Sequence, residues 1–207
     1  VATTLESLAF VLDRQGKRKA AIDMLRKTLD MRRRTLGPAH PDVAASGSSL
    51  AYWLTDAGRY DEAQGLVEES LAIRRKALGP EHPQVAGTLT VQANLLLVRG
   101  HYEEARAVAV EAQRILKLSL PDDSWQAAAA RNVEGAALAK LGDYAGAESL
   151  LLTSLPSLEQ SPIPGLPEVG RKRLRELSLA WGRPAEAHKY PGQPVTHRDA
   201  AASTSRK

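Results

Sequence analysis

The chain lacks cysteine altogether. That removes disulfides, thiolate metal sites and cysteine nucleophiles together. Aromatic residues are scarce, with one Phe, three Trp and five Tyr among 207 residues. So few rings argue against a β-sandwich and against platforms on which nucleobases stack. No apolar run approaches the ~18 residues that a membrane-spanning helix needs. The first residues show no basic segment leading into an apolar core and cleavage site, so no signal peptide is read. Val1 in place of Met is read as marking a piece with more protein upstream. A core built with few rings must come from Ala, Leu and Val, which favours closely packed helices.

The net charge of +4 is unevenly spread. Residues 171–207 carry 9 Lys/Arg against 3 Asp/Glu, so the tail is basic and the rest of the chain is close to neutral. An overall basic balance is therefore weak evidence that a folded part binds nucleic acid.

What the sequence does contain is a repeat. Gly16, Gly58, Gly100 and Gly142 share one period of 42 residues. Each opens a short motif, such as Gly58-Arg59-Tyr60-Asp61-Glu62-Ala63, and Ala21, Ala63, Ala105 and Ala147 keep the same step. A second motif recurs as Leu36-Gly37-Pro38-Ala39-His40-Pro41 and Leu78-Gly79-Pro80-Glu81-His82-Pro83, with a degenerate copy from Leu120 to Ala128. Apolar residues between the motifs fall at helical spacing, as in Leu50, Ala51 and Leu54. Each unit thus reads as helix, Gly turn, helix, Gly-Pro turn. The Gly suits a helix end that needs positive φ, and the Pro suits the first turn of the next helix. His40, His82 and Ser124 are then placed at N-caps.

The pattern Leu5, Leu8, Ala9, Leu12, followed by the alanine of the second helix, resembles a tetratricopeptide repeat. The 42-residue period and the Leu-Gly-Pro-x-His-Pro turn resemble the longer, kinesin-light-chain type. The ending Ala180-Trp181-Gly182-Arg183-Pro184 through Ala187 is similar to the last repeat of arrays carried by bacterial serine/threonine protein kinases. The resemblance implies an all-α superhelix of antiparallel helix pairs with a C-terminal capping helix. The expected organisation is four helix pairs over residues 1–155, a Pro-rich connector at 156–167, a degenerate fifth repeat or cap at 168–190 and a disordered tail at 191–207. The sequence departs from the family at Gly47, Gln92, Arg131 and Glu134, where apolar side chains are expected. On the cap, Leu174, Leu177 and Trp181 form one apolar stripe, with Arg171, Lys172, Arg173, Arg175 and Glu176 on the wet remainder.

Stacked hairpins leave an extended concave surface, which the resemblance lines with the first helix of each pair. The register places Glu6, Phe10, Asp13 and Arg14 there, then Ser48, Tyr52 and Asp56, then Thr90 and Asn94, then Asn132 and Lys140. Asparagine can accept from and donate to a partner backbone at once. Phe10 and Tyr52 could form a pocket for an anchor side chain. The expected function is a non-catalytic scaffold that holds a protein or peptide in this groove. It would be a cytoplasmic module in the C-terminal part of a larger signalling protein with a serine/threonine kinase domain.

Rival readings are a sensor array in a nucleotide-binding regulator and a helical repeat that binds nucleic acid. The nearly neutral body and few rings speak against nucleic acid. No metal, cofactor, small-molecule substrate or membrane is expected. The five histidines form no ligand-spaced pair, and no nucleophilic triad or phosphate loop can be placed. The run from Arg32 to Arg34, repeated as Arg74-Arg75-Lys76 and echoed by Arg114 and Lys117, is read first as helix C-terminal charge and second as a basic ridge.

Overall fold

The computed structural model describes residues 5, 8, 9, 11–13, 15–163 and 165–190, and every regular element among them is helical. Leu5, Leu8, Ala9 and residues 11–13 are helical. They are followed by α1 (Arg18–Leu36), α2 (Pro41–Asp56), α3 (Tyr60–Leu78), α4 (Pro83–Val98) and α5 (Tyr102–Lys117). Then come α6 (Trp125–Leu141), α7 (Tyr144–Glu159), α8 (Leu166–Ala180) and the short α9 (Pro184–Ala187).

The turn chemistry follows the sequence motifs. Gly16, Gly58, Gly100 and Gly142 have φ between 74 and 90°, a region that costs an L side chain strain. The His40 Nδ1 accepts the Asp42 N–H at 3.1 Å, and the His82 Nδ1 accepts the Gln84 N–H at 3.2 Å. Both histidines therefore cap α2 and α4, with the following Pro in the first turn. Ser124 caps α6 in the same way by accepting the Ala127 N–H at 3.3 Å.

Ala21, Ala63, Ala105 and Ala147 are completely buried, as are Ala9, Ala51 and Ala93 on the first helix of each pair. Small residues at these points let helix backbones approach without displacing their neighbours. Three of the apolar positions that the sequence fills differently are explained by local packing. A Cβ on Gly47 would meet the Ser70 Oγ at 2.6 Å, so any side chain there would have to displace Ser70. Glu134 accepts from the Gln113 Nε2 at 2.7 Å, and Arg131 donates to the Asp122 carbonyl at 3.1 Å.

Successive pairs stack with a consistent asymmetry. The backbones of α2, α4, α6 and α8 approach one another in succession, whereas those of α1, α3, α5 and α7 stay apart, α1 and α3 meeting through the long side chains of ion pairs. The array therefore curves with the even-numbered helices on its inner side.

One repeating contact ties each pair to the next. The Arg74 Nη1 donates to the Gln84 carbonyl at 2.8 Å and to the Thr88 Oγ1 at 2.6 Å. One period earlier Arg32 reaches the Asp42 carbonyl and the Ser46 hydroxyl. One period later the corresponding residues are Leu116 and Ala130, both buried in one apolar cluster. The last copy is Leu158 and Gly170, where a Cβ on the glycine would lie 2.9 Å from the Leu158 Cδ1. Much of the basic ridge is consumed in holding the structure. Arg33 pairs with Glu69 at 2.6 Å, and Arg114 pairs with Glu81 and Glu111 at 2.9 Å each.

The C-terminal end differs from expectation in its boundaries. The helix α7 continues through Pro156 to Glu159, so the expected connector of residues 156–167 shrinks to residues 160–165. Proline removes one N–H and leaves the carbonyl four residues back without its helical partner. Pro156 and Leu152 both lie on the exposed flank, where water can serve that carbonyl. Burial of Ser154, Ser157 and Leu158 holds the last turn on the other side. The cap α8 starts at Leu166 with Pro167 in its first turn. Its Leu174 and Leu177 pack in one cluster with Ala147, Leu151 and Leu155. The chain then turns at Gly182, whose φ is 73°, into α9. The tail expected at 191–207 lies outside the described residues.

Two outcomes follow. Ala63→Leu is expected to lower stability by about 1–3 kcal/mol through overpacking, read from a thermal melt. Thr88→Ala is expected to cost about 1–3 kcal/mol, because it strips a hydrogen bond from the buried Arg74. The double variant Arg74→Leu with Thr88→Ala writes the third copy of the contact into the second. It is expected to melt at or above the wild-type temperature, since an apolar pair replaces a desolvated charge.

Candidate peptide-binding groove

The expected groove residues stand on the inner helices α2, α4 and α6. Tyr52 and Asp56 stand on α2, Thr90 and Asn94 on α4, and Asn132 and Lys140 on α6. At one end the Arg18 Nε donates to the Asp13 Oδ1 at 2.7 Å, and its Nη1 pairs with the Asp56 Oδ2 at 2.5 Å. Hydrogen bonding to Asp13 and the two carboxylates hold the Arg18 guanidinium above its ordinary pKa. The Tyr52 hydroxyl lies within electrostatic reach of Asp56, Arg173, Arg18 and Asp13, and burial pushes its pKa up.

At the centre stands a residue from the cap. Arg173 on α8 donates from Nη1 to the Asn132 Oδ1 at 2.7 Å and from Nη2 to the Asn94 Oδ1 at 2.5 Å. Asn132 is buried, and its Nδ2 donates to the Ser154 Oγ at 3.1 Å, so both ends of its amide are used. Burial pulls the Arg173 guanidinium down to about 10. One strip therefore joins Asp13, Asp56, Tyr52, Asn94 and Asn132, and Arg173 belongs to it.

The remaining expected groove residues divide three ways. Ser48 is buried between α2 and α4, with its Oγ 3.2 Å from the Thr88 Oγ1, so it serves the repeat contact and does not face the groove. Thr90 bonds back to the Ala86 carbonyl and Lys140 is exposed, and no hydrogen bond or ion pair among the described residues ties either to the strip. Glu6, Phe10 and Arg14 lie outside the described residues.

The helical pattern of the cap puts Arg173 on its wet side, whereas the side chain is half-buried. The signal is present in the spacing. Arg173 stands three residues after Gly170 and four before Leu177, on the flank of the buried stripe.

Elsewhere the chemistry is structural. No group of three or more His, Asp or Glu among the described residues could hold a metal ion. On the outer face, a cleft of about 450 Å³ lies between α1 and α3 over Leu29, Leu50, Leu54 and Leu66. Ion pairs from Arg26 to Glu62 and from Arg33 to Glu69 bridge it. No helix among the described residues is long and apolar enough to cross a membrane.

The contact at the strip's centre can be strengthened by design. Asn94→Asp is expected to put a carboxylate opposite Arg173, whose acceptors among the described residues are two neutral amides. The new carboxyl should titrate below its unfolded value of about 3.9. A depressed folded pKa adds stability above the unfolded pKa and loses it as pH falls through the folded pKa. The variant should therefore gain roughly 1–2 kcal/mol at pH 7 over wild type, and lose the gain in melts below about pH 4.

Models of the tetratricopeptide repeat match residues 1–42 and 45–118, together more than half of the chain. Among solved structures, the TPR-like repeats of a protein named as a kinesin light chain from Podosopora anserina superpose with a TM-score of 0.64 at 23% identity. That match covers 99% of this chain and 97% of the other. BtubC (BKLC) from P. vanneervenii gives 0.64 at 20% identity, over 98% of this chain and 80% of that one. TTC0263, a thermophilic TPR protein of Thermus thermophilus, gives 0.63 at 21% identity, over 99% and 97%. No curated protein matches the sequence. With its 42-residue period, its capped hairpins and these matches, the chain belongs to the tetratricopeptide repeat family.

Proposed function

We propose that the chain is a non-catalytic interaction scaffold that holds an extended segment of a partner protein across its inner face. The observation that carries this reading is the alignment of Tyr52, Asn94 and Asn132 from three successive inner helices. A single arginine side chain joins two of them and lies near the third. Amides spaced along a groove match an extended backbone, whose N–H and C=O groups alternate along the strand. The Tyr52 ring offers an apolar wall for one side chain of the partner. Two cations of the outer ridge, Arg33 and Arg114, are paired with Glu69, Glu81 and Glu111, which weakens the case for a nucleic-acid backbone. The similarity of the ending Ala180–Ala187 to the last repeat of kinase-linked arrays supports a cytoplasmic signalling parent with a serine/threonine kinase domain.

The test is binding of peptides selected from a randomised linear library, measured by fluorescence polarisation. Asn94→Ala and Tyr52→Ala are each expected to weaken binding about tenfold, equivalent to roughly 1.4 kcal/mol. Glu103→Ala, in the first turn of the outer helix α5, should leave it unchanged. Equal loss from the inner and outer substitutions would remove the groove from the account.

A further inference from the structure

The two amides at the centre of the strip already have a ligand. Arg173 donates to the oxygen of Asn94 at 2.5 Å and to the oxygen of Asn132 at 2.7 Å. Those oxygens are the atoms that would accept a partner's backbone N–H groups. We propose that Arg173 is a built-in competitor for the concave site: α8 closes it by laying a guanidinium across Asn94 and Asn132, and an extended partner backbone binds by displacing that side chain. This inference rests on the strip being the partner site.

Three observations carry it. The first is that the contact is separable from the docking of the cap. The helix α8 is held by Leu174 and Leu177 in the cluster with Leu151 and Leu155, and by Gly170 against Leu158. The ion pair from Arg171 to Glu159 at 2.9 Å adds a further tie. Arg173 can swing away on its flexible stem while these contacts stay in place.

The second concerns the balance of the contact itself. Among the described residues, Arg173 has two neutral acceptors and no carboxylate within hydrogen-bonding distance. Desolvation therefore opposes the hydrogen bonds, and burial lowers its pKa to about 10. A contact with offsetting parts is one that a competing ligand can exchange, because the released guanidinium regains its water.

The third is sequence distance. Arg173 and Asn94 are 79 residues apart, and the side chain passes from the terminal repeat beyond the neighbouring inner helix α6 to α4. Stacking of the last repeat on its neighbour does not require that reach.

The consequence is measurable through affinity. If the latch is closed about nine-tenths of the time, the apparent affinity of a partner falls about tenfold. The probe is a set of synthetic peptides selected from a randomised linear library panned on the full chain and on Arg173→Met. Methionine keeps the apolar stem and removes the guanidinium. Arg173→Lys keeps a charge that cannot span both amides, so it serves if the first variant melts early.

Arg173→Met is expected to bind the peptides about tenfold more tightly than wild type, with Arg173→Lys between the two. Adding Asn94→Ala should cancel the gain. Equal or weaker binding by Arg173→Met, with Asn94→Ala still harmful, overturns the latch and leaves the groove standing. Binding indifferent to both Asn94 and Tyr52 overturns the groove, and the latch with it. Failure of either protein to retain any peptide counts against both.

Discussion

The constraint on which the structure depends is the close crossing of helices at a small residue. Ala21, Ala63, Ala105 and Ala147 are fully buried, and each lies five residues after the glycine that closes the preceding helix. A larger side chain would push two helices apart along their whole length, since the interior is already close-packed. The glycine turn and the alanine crossing together fix how each helix pair folds back on itself. A single pair still leaves one apolar face uncovered, so the fold must continue by stacking until something closes it.

Stacking is solved differently at successive junctions. The first two use an arginine near the end of one outer helix and a hydroxyl in the next inner helix, as in Arg74 and Thr88. The third replaces both members with Leu116 and Ala130, and the last with Leu158 and Gly170. Each exchange changes both partners together, so a polar contact never faces an apolar one. Buried charge costs free energy unless all its donors are used, and the Arg74 Nε has no partner. The apolar version needs a smaller residue on the inner helix as the gap closes, ending in a glycine that a Cβ could not replace without displacing Leu158.

The parts legible in the sequence are those set by local, repeated chemistry. Turn glycines, histidine and serine caps and crossing alanines each declare themselves within one period, and the capping stripe of Leu174 and Leu177 follows from helical spacing. The same register puts Asn94 and Asn132 on inner helices. What the period does not encode stays hidden in it. Ser48 is drawn inside by Thr88, a partner 40 residues away. Pro156 reads as a helix breaker, yet its cost is small in the last turn of the helix, on an exposed flank where water can reach the carbonyl it orphans. Arg173 reads as a solvent residue when charge is weighed above position. Its spacing from Gly170 and Leu177 puts it beside the buried stripe, and only three-dimensional curvature brings Asn94 within its reach.

That curvature gives the terminal repeat two tasks. Inner helices whose backbones approach closely, while the outer backbones stay farther apart, bend the array toward its inner face. The bend brings the last inner helix closer to the earlier ones than its place in the chain suggests. A cap must present an apolar stripe to its neighbour and polar side chains elsewhere, and on a curved array part of that polar edge points into the groove. Short polar side chains there would stop short of α4, whereas arginine combines a long apolar stem with several donors at its end. The residue type that suits the edge of a cap is thus also one that can cross the groove. Closing the stack and occupying the concave face are consequences of one geometry, and the link between them is the reach of Arg173 to Asn94.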